Sequence, residues 1–156
     1  MKRIIIFTIL FLFIAIQFIR PARNNGGNTV ASLKNDIETV HPVPADVKKV
    51  LQAACYDCHS NLTNYPWYAN IQPIGWWLQF HIDEGKTELN FNEFASYSPR
   101  RQFNMMEGFI HQVKWNKMPL SSYLLMHKEA KLSKEQKQKL LDWAQQVRER
   151  TKRIEN

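Results

Sequence analysis

Cys55-Tyr56-Asp57-Cys58-His59 constrains this chain more than any other stretch. It is a C-x-x-C-H run, the signature of covalent c-type haem attachment. The chemistry explains the spacing. Two thiols three positions apart can each add to one vinyl group on the same haem edge, and the next residue brings an imidazole to the iron. Both cysteines of the chain are used in it. Two other readings compete. A dithiol redox site is expected beside a βαβ pattern, and none is visible. A zinc site needs about four ligands, and no second C-x-x-C or H-x₃₋₅-H pair accompanies this one. The expectation is one covalently attached haem c, with Cys55 and Cys58 as thioethers. His59 is then the proximal iron ligand through Nε2, with its Nδ1–H donated to a backbone carbonyl.

The N-terminus bears on where such chemistry would happen. Ile4 to Ile19 is an apolar run broken only by Thr8 and Gln17, with Lys2 and Arg3 before it and Arg20-Pro21 after it. Basic residues ahead of such a run favour a cytoplasmic N-terminus. Residues 1–22 therefore read as a signal anchor or a signal peptide. The anchor predicts a single pass through a bacterial inner membrane, with the C-terminal domain in the periplasm. Cleavage would instead leave a soluble periplasmic protein, but no convincing small-x-small site is present. Residues 23–34 read as a flexible linker, since Arg23 to Asn28 is polar and glycine-rich. Residues 35–156 form the haem domain.

Within that domain the patterns are helical, and no segment alternates like a strand. Val47, Val50, Leu51 and Ala54 fall on one face of a helix from Ala45 to about Tyr56. His41-Pro42-Val43-Pro44 is extended and stops any earlier helix, with His41 exposed in the turn. Ile74 to Glu84 is helical, with Gly85 as its C′ residue. Phe91 to Ala95 makes one helical turn. Ser98-Pro99 is an N-cap followed by an N1 proline. It opens a helix to about Trp115 with Phe103, Met106, Ile110 and Val113 on one stripe. Ser121 to His127 is a short helix. Ser133-x-x-Gln136 is a capping box for a last helix to about Arg150, apolar at Leu140, Leu141, Trp143, Ala144 and Val147.

The formal charge of +7 is concentrated towards the C-terminus, where nine Lys/Arg face five Asp/Glu from Lys128 onward. A solvated basic helix face accounts for it, and an acidic partner or anionic lipid headgroups are the other reading. No nucleic acid partner is expected, because no DNA-binding motif accompanies the charge. Aromatic side chains are abundant and suit either a haem wall or an ordinary core.

A helix running into Cys55-x-x-Cys58-His59, a downstream Met118-Pro119 pair and an amphipathic C-terminal helix together resemble a class I cytochrome c. That resemblance implies packed terminal helices and a methionine on iron opposite the histidine. The chain is closer to the bacterial haem-binding domain family of small C-x-x-C-H proteins. The likeness is carried by Ala54-Cys55-Tyr56-Asp57-Cys58-His59-Ser60-Asn61, Tyr65-Pro66-Trp67-Tyr68, His81-Ile82-x-x-Gly85-Lys86, Leu89-Asn90-Phe91, and Met118-Pro119 leading to Leu132-Ser133 and Trp143. It covers about residues 35–147. It implies haem c and an exported location but no settled reaction. The long, tryptophan-rich middle segment departs from ordinary class I cytochromes.

The expected fold is thus all-α, a cytochrome c-like helical domain around one haem, preceded by an N-terminal membrane-anchor helix. For the sixth iron ligand, Met118 is preferred and His81 is the alternative. A thioether raises the potential and suits electron transfer, and a second imidazole gives a lower one. Trp67, Tyr68 and Trp77 are candidates for the pocket wall. Arg100, Arg101 and Tyr123 are candidates for the propionates. His111 and His127 have weaker claims, His127 in a wet loop. The functional expectation is electron transfer at the periplasmic membrane face with a redox partner protein not identified by sequence. Alternatives are a haem enzyme or gas sensor with an open distal site, a haem-free dithiol oxidoreductase using Cys55 and Cys58, and a module whose haem only supports the fold. No nucleophile–base pair or carboxylate pair stands beside the motif, so no catalytic residue is named.

Overall fold

The structure, a computed structural model, describes residues 1–26 and 33–155. Among the described residues it holds seven α-helices and no strand. They are α1 (Lys2–Ile16), α2 (Ala45–Ala54), α3 (Tyr56–His59), α4 (Ile74–Glu88), α5 (Pro99–Lys114), α6 (Ser121–Leu124) and α7 (Lys134–Glu155). Short 3₁₀ turns at Ile37–Thr39, Trp67–Asn70, Phe91–Ser96 and Lys128–Ala130 join them.

Local chemistry starts the two longest helices where expected. Ser98 Oγ accepts from Arg101 N at 3.4 Å, ahead of Pro99. At α7 the capping box is reciprocal: Gln136 N donates to Ser133 Oγ at 3.1 Å, and Ser133 N donates to Gln136 Oε1 at 2.9 Å. α5 and α7 then pack along each other, and α2 packs against α7. The core between them holds Val47, Val50 and Leu51 with Met106, Phe109, Leu140, Trp143, Ala144 and Val147. Phe91 is fully buried at its centre. Its ring centroid lies 5.3 Å from Tyr56, 6.2 Å from Phe109 and 6.5 Å from Trp143.

Four expectations change. The buried stripe of α5 is Gln102, Met105, Met106, Phe109 and Val113, whereas Phe103 and Ile110 are half-buried. α4 does not stop at Gly85 but continues to Glu88. His41 is not exposed: only 3 % of its surface is accessible, its ring lies edge-on to Phe94 at 5.8 Å, and neither ring nitrogen has a hydrogen-bond partner. Packing of the extended His41–Pro44 segment against α7, where Trp143 Nε1 donates to Pro42 O at 3.2 Å, carries the imidazole inward.

The fourth change concerns the N-terminus. α1 has 15 residues. At 1.5 Å per residue it is about 22 Å long, short of a hydrocarbon core of about 30 Å. Among the described residues no helix is long and apolar enough to cross a membrane. This overturns the expected single-pass inner-membrane anchor and membrane attachment through that helix.

The chain beyond α1 is tied to the domain. Gln72 N donates to Gln17 Oε1 at 2.8 Å, Gln17 Nε2 donates to Gln72 O at 3.1 Å, and Trp76 Nε1 donates to Ile19 O at 2.7 Å. Of the expected linker, residues 27–32 lie outside the described residues. Its first part is no free tether, because Asn24 is buried and bonded on every polar group.

Candidate functional site

Helix α2 ends at Ala54 and the chain turns immediately into α3, so Cys55, Cys58 and His59 sit at a helix junction. All three open onto one cavity of about 730 Å³. That volume is in the ~300–1,000 Å³ range of cofactor pockets. α4 contributes His81, Gly85 and Glu88 to the lining, and the segment after α5 contributes Met118, Leu120 and Tyr123. From α5 come Arg101, Met105, Gly108, Phe109, Gln112 and Val113. These recur every three or four residues, which puts one stripe of α5 on the cavity. The same helix must also serve the α7 contact, and that double duty is why its apolar face is turned from the simple periodic reading.

The position of His59 is closely determined. Its Nδ1 lies 2.8 Å from Leu89 O. A carbonyl only accepts, so Nδ1 carries the proton and the Nε2 lone pair is left for a ligand. Burial lowers the histidine pKa, which keeps the ring neutral and fit to bind a metal. α4 passes so close that a Cβ on Gly85 would lie 3.0 Å from Cys58 O and 3.4 Å from His59 Cε1. That close approach, and not a helix stop, is what Gly85 provides.

The residues behind the ring are fastened too. Asn61 N donates to Asn92 Oδ1, Asn90 Nδ2 to Asn61 Oδ1, and Asn92 Nδ2 to Asp36 Oδ2, each at 2.7 Å. Asn24 Nδ2 donates to Ser60 O and to Thr63 Oγ1, both at 2.9 Å, and Lys86 Nζ donates to Asn24 Oδ1 at 2.7 Å.

Both cysteines are free thiols. Burial pushes the pKa of Cys55 up to about 12 and that of Cys58 up to about 11. At neutral pH both are protonated, the reverse of the lowered pKa that marks a reactive thiol. Asp57, between them, accepts from Tyr123 OH at 2.7 Å and from Asn64 N at 3.1 Å. Among the described residues no group of three or more His, Cys, Asp or Glu side chains is arranged to hold a metal ion.

Met118 and His81, the two expected candidates for an iron ligand, both line the cavity. The His81 ring meets Trp77 edge-on at 4.5 Å, and its Nδ1 is 3.6 Å from Glu84 Oε2. The aromatic candidates are placed differently. Trp67, Tyr68 and Trp77 are not part of the cavity lining. Trp67 is 70 % exposed, Trp77 is 47 % exposed, and Tyr68 packs on a separate small cluster of Ala69, Leu78 and Ile82. The wall is made by Phe91, Met105, Phe109 and Val113 instead. Of the propionate candidates, Arg101 reaches the cavity, Arg100 does not, and the Tyr123 hydroxyl is taken by Asp57. His127 is half-buried, with its ring stacked on Tyr123 at 4.1 Å.

The cavity fits a haem. Its lining is mostly apolar, and a Cβ added to Gly108 on α5 would meet nothing within 4 Å, so that face is open for a flat group to approach. An all-α domain with a thiol pair and a neutral imidazole on such a wall has the composition of a haem-binding site. The family comparison agrees. The haem-binding domain family matches residues 11–146, and the chain belongs to that family. No match was found to a curated protein or to a solved structure.

Proposed function

We propose that the chain is a c-type haem protein that carries electrons. Cys55 and Cys58 hold the haem through thioethers, His59 Nε2 is the proximal ligand, and Met118 is the sixth. The haem supplies one-electron redox chemistry, and the chain positions it and sets its potential. One observation carries the reading: two thiols and an imidazole whose Nδ1 is committed to Leu89 O open together onto one cavity that Met118 also lines. The raised thiol pKa values weigh against a haem-free dithiol oxidoreductase. A partner for electron exchange belongs to the same proposal.

His81 is the second candidate for the sixth position. The chain runs beside the His59 ring from Leu89, just past α4, at Nδ1 to Gly85 of α4 at Cε1, and His81 is one turn further on. The test is expression with a cytochrome c maturation system, followed by a pyridine haemochrome on denatured protein. A c-type band that stays with the polypeptide supports the attachment, and colourless protein removes it. Met118→Ala and His81→Ala then separate the ligands. The true ligand's loss opens the reduced iron to carbon monoxide and shifts the potential, and the other substitution leaves both close to wild type.

A further inference from the structure

Tyr123 OH donates to Asp57 Oδ2 at 2.7 Å. Asp57 sits between the two cysteines and is held by Asn64 N, while Thr63 Oγ1 donates to its carbonyl at 2.6 Å. Tyr123 belongs to the segment that brings Met118, Pro119 and Leu120 to the cavity. Among the described residues this bond is the one hydrogen bond that joins residues 118–132 to the Cys55–Tyr65 loop. The phenol ring is supported from behind. It lies flat on His127, 4.1 Å away and 8° from parallel, and His127 meets Tyr68 edge-on at 6.3 Å. A hydrogen bond to a carboxylate is of the strong, charge-assisted kind.

We propose that Tyr123 is a positioning residue, and that its bond to Asp57 clamps the 118–127 segment to the haem-attachment loop and so sets how firmly Met118 stays on the iron. The proposal rests on the Met118 ligand reading. It assigns no contact between Tyr123 and the haem, and it uses the carboxylate of Asp57 as a fixed anchor point.

The test uses the full, haem-loaded chain and Tyr123→Phe, which keeps the ring stack and removes only the hydroxyl. Asp57→Asn, which leaves a weaker acceptor in place, is the second variant. Losing a charge-assisted bond should raise the open population of the segment roughly ten- to hundredfold. Carbon monoxide uptake by the reduced protein should accelerate to match, and the midpoint potential should fall as the thioether contact weakens. Amide hydrogen exchange should speed up across residues 118–127 and stay unchanged in α5 and α7. Asp57→Asn should fall between wild type and Tyr123→Phe on each measure. Wild-type uptake, potential and exchange in Tyr123→Phe at full haem content would overturn the clamp. If the unsubstituted protein already takes up carbon monoxide rapidly, the Met118 reading fails separately. The clamp then stands or falls on the exchange of residues 118–127 in Tyr123→Phe.

Discussion

The cavity has two sides built on different principles. The His59 side is fastened by buried polar groups: Leu89 O on the imidazole, the Asn61–Asn90–Asn92–Asp36 chain behind it, and Asn24 across Ser60 and Thr63. Asn24, Asp36, Ser60, Thr63, Asn90 and Asn92 are all nearly inaccessible. The Met118 side is half-exposed, and among the described residues one hydrogen bond, Tyr123 to Asp57, joins it to the Cys55–Tyr65 loop. Buried hydrogen bonds are costly to leave unmade, so a network of them fixes one geometry. A segment with few such ties opens at low free energy. The lesson is a division of labour: an imidazole pre-set by buried hydrogen bonds faces a segment that a single hydrogen bond joins to the Cys55–Tyr65 loop.

The largest expected effect removes the two thiols that both sides face. Cys55→Ala with Cys58→Ala should abolish the haem band that survives denaturation and lower the melting temperature by roughly 10 °C. A native-like melting curve for the double variant would show that the two sides hold together without the cofactor.

Next come two changes confined to the His59 side. Asn92→Leu strips partners from Asn61 N and Asp36 and should cost about 2–3 kcal/mol in urea unfolding. Gly85→Ala forces a methyl against Cys58 O and His59 Cε1 and should cost about 1–3 kcal/mol, with a changed haem spectrum. A neutral result for either would mean that the His59 side is no more rigid than the Met118 side.

The smallest effect lies away from both. Burial, only partly opposed by the neighbouring Gln102 side chain and aided by repulsion from Arg150, holds the folded pKa of His41 below 6.5. As pH falls, the unfolded chain takes up the proton first. Stability is therefore full above about pH 6.5 and declines below it, down to the folded pKa. His41→Leu should flatten that acid slope and leave stability at pH 7 unchanged or raised by up to about 1 kcal/mol, because it removes a buried imidazole with no well-formed hydrogen bond. Urea midpoints at pH 5 and pH 8 check both.

The helices were legible because their signals are local. The α2 face, the Ser98-Pro99 start and the Ser133/Gln136 box each need only neighbours within a turn or two. The cysteine–histidine run was legible for the same reason. What misled was proximity in sequence. Trp67, Tyr68 and Trp77 lie close to the motif along the chain, yet they pack elsewhere or face solvent. The cavity is lined instead by Phe91, Met105, Phe109 and Val113, which carry no mark beyond ordinary apolar periodicity. Gly85 looked like a helix end because glycine favours C′ positions. Only the neighbouring Cys58 and His59 show that its missing side chain serves a close approach.

By itself the sequence determined the all-α character, the helix starts, and the placing of two thiols and an imidazole within five residues. These follow from covalent connectivity and short-range backbone preference. Tertiary structure decided the rest: which stripe of α5 faces the cavity, that Leu89 O takes the Nδ1 proton, that His41 is buried, that Asn24 belongs to the fold, and that Tyr123 reaches Asp57. Those are contacts between residues tens of positions apart. Their partners are chosen by how whole helices pack, and no local pattern encodes that choice.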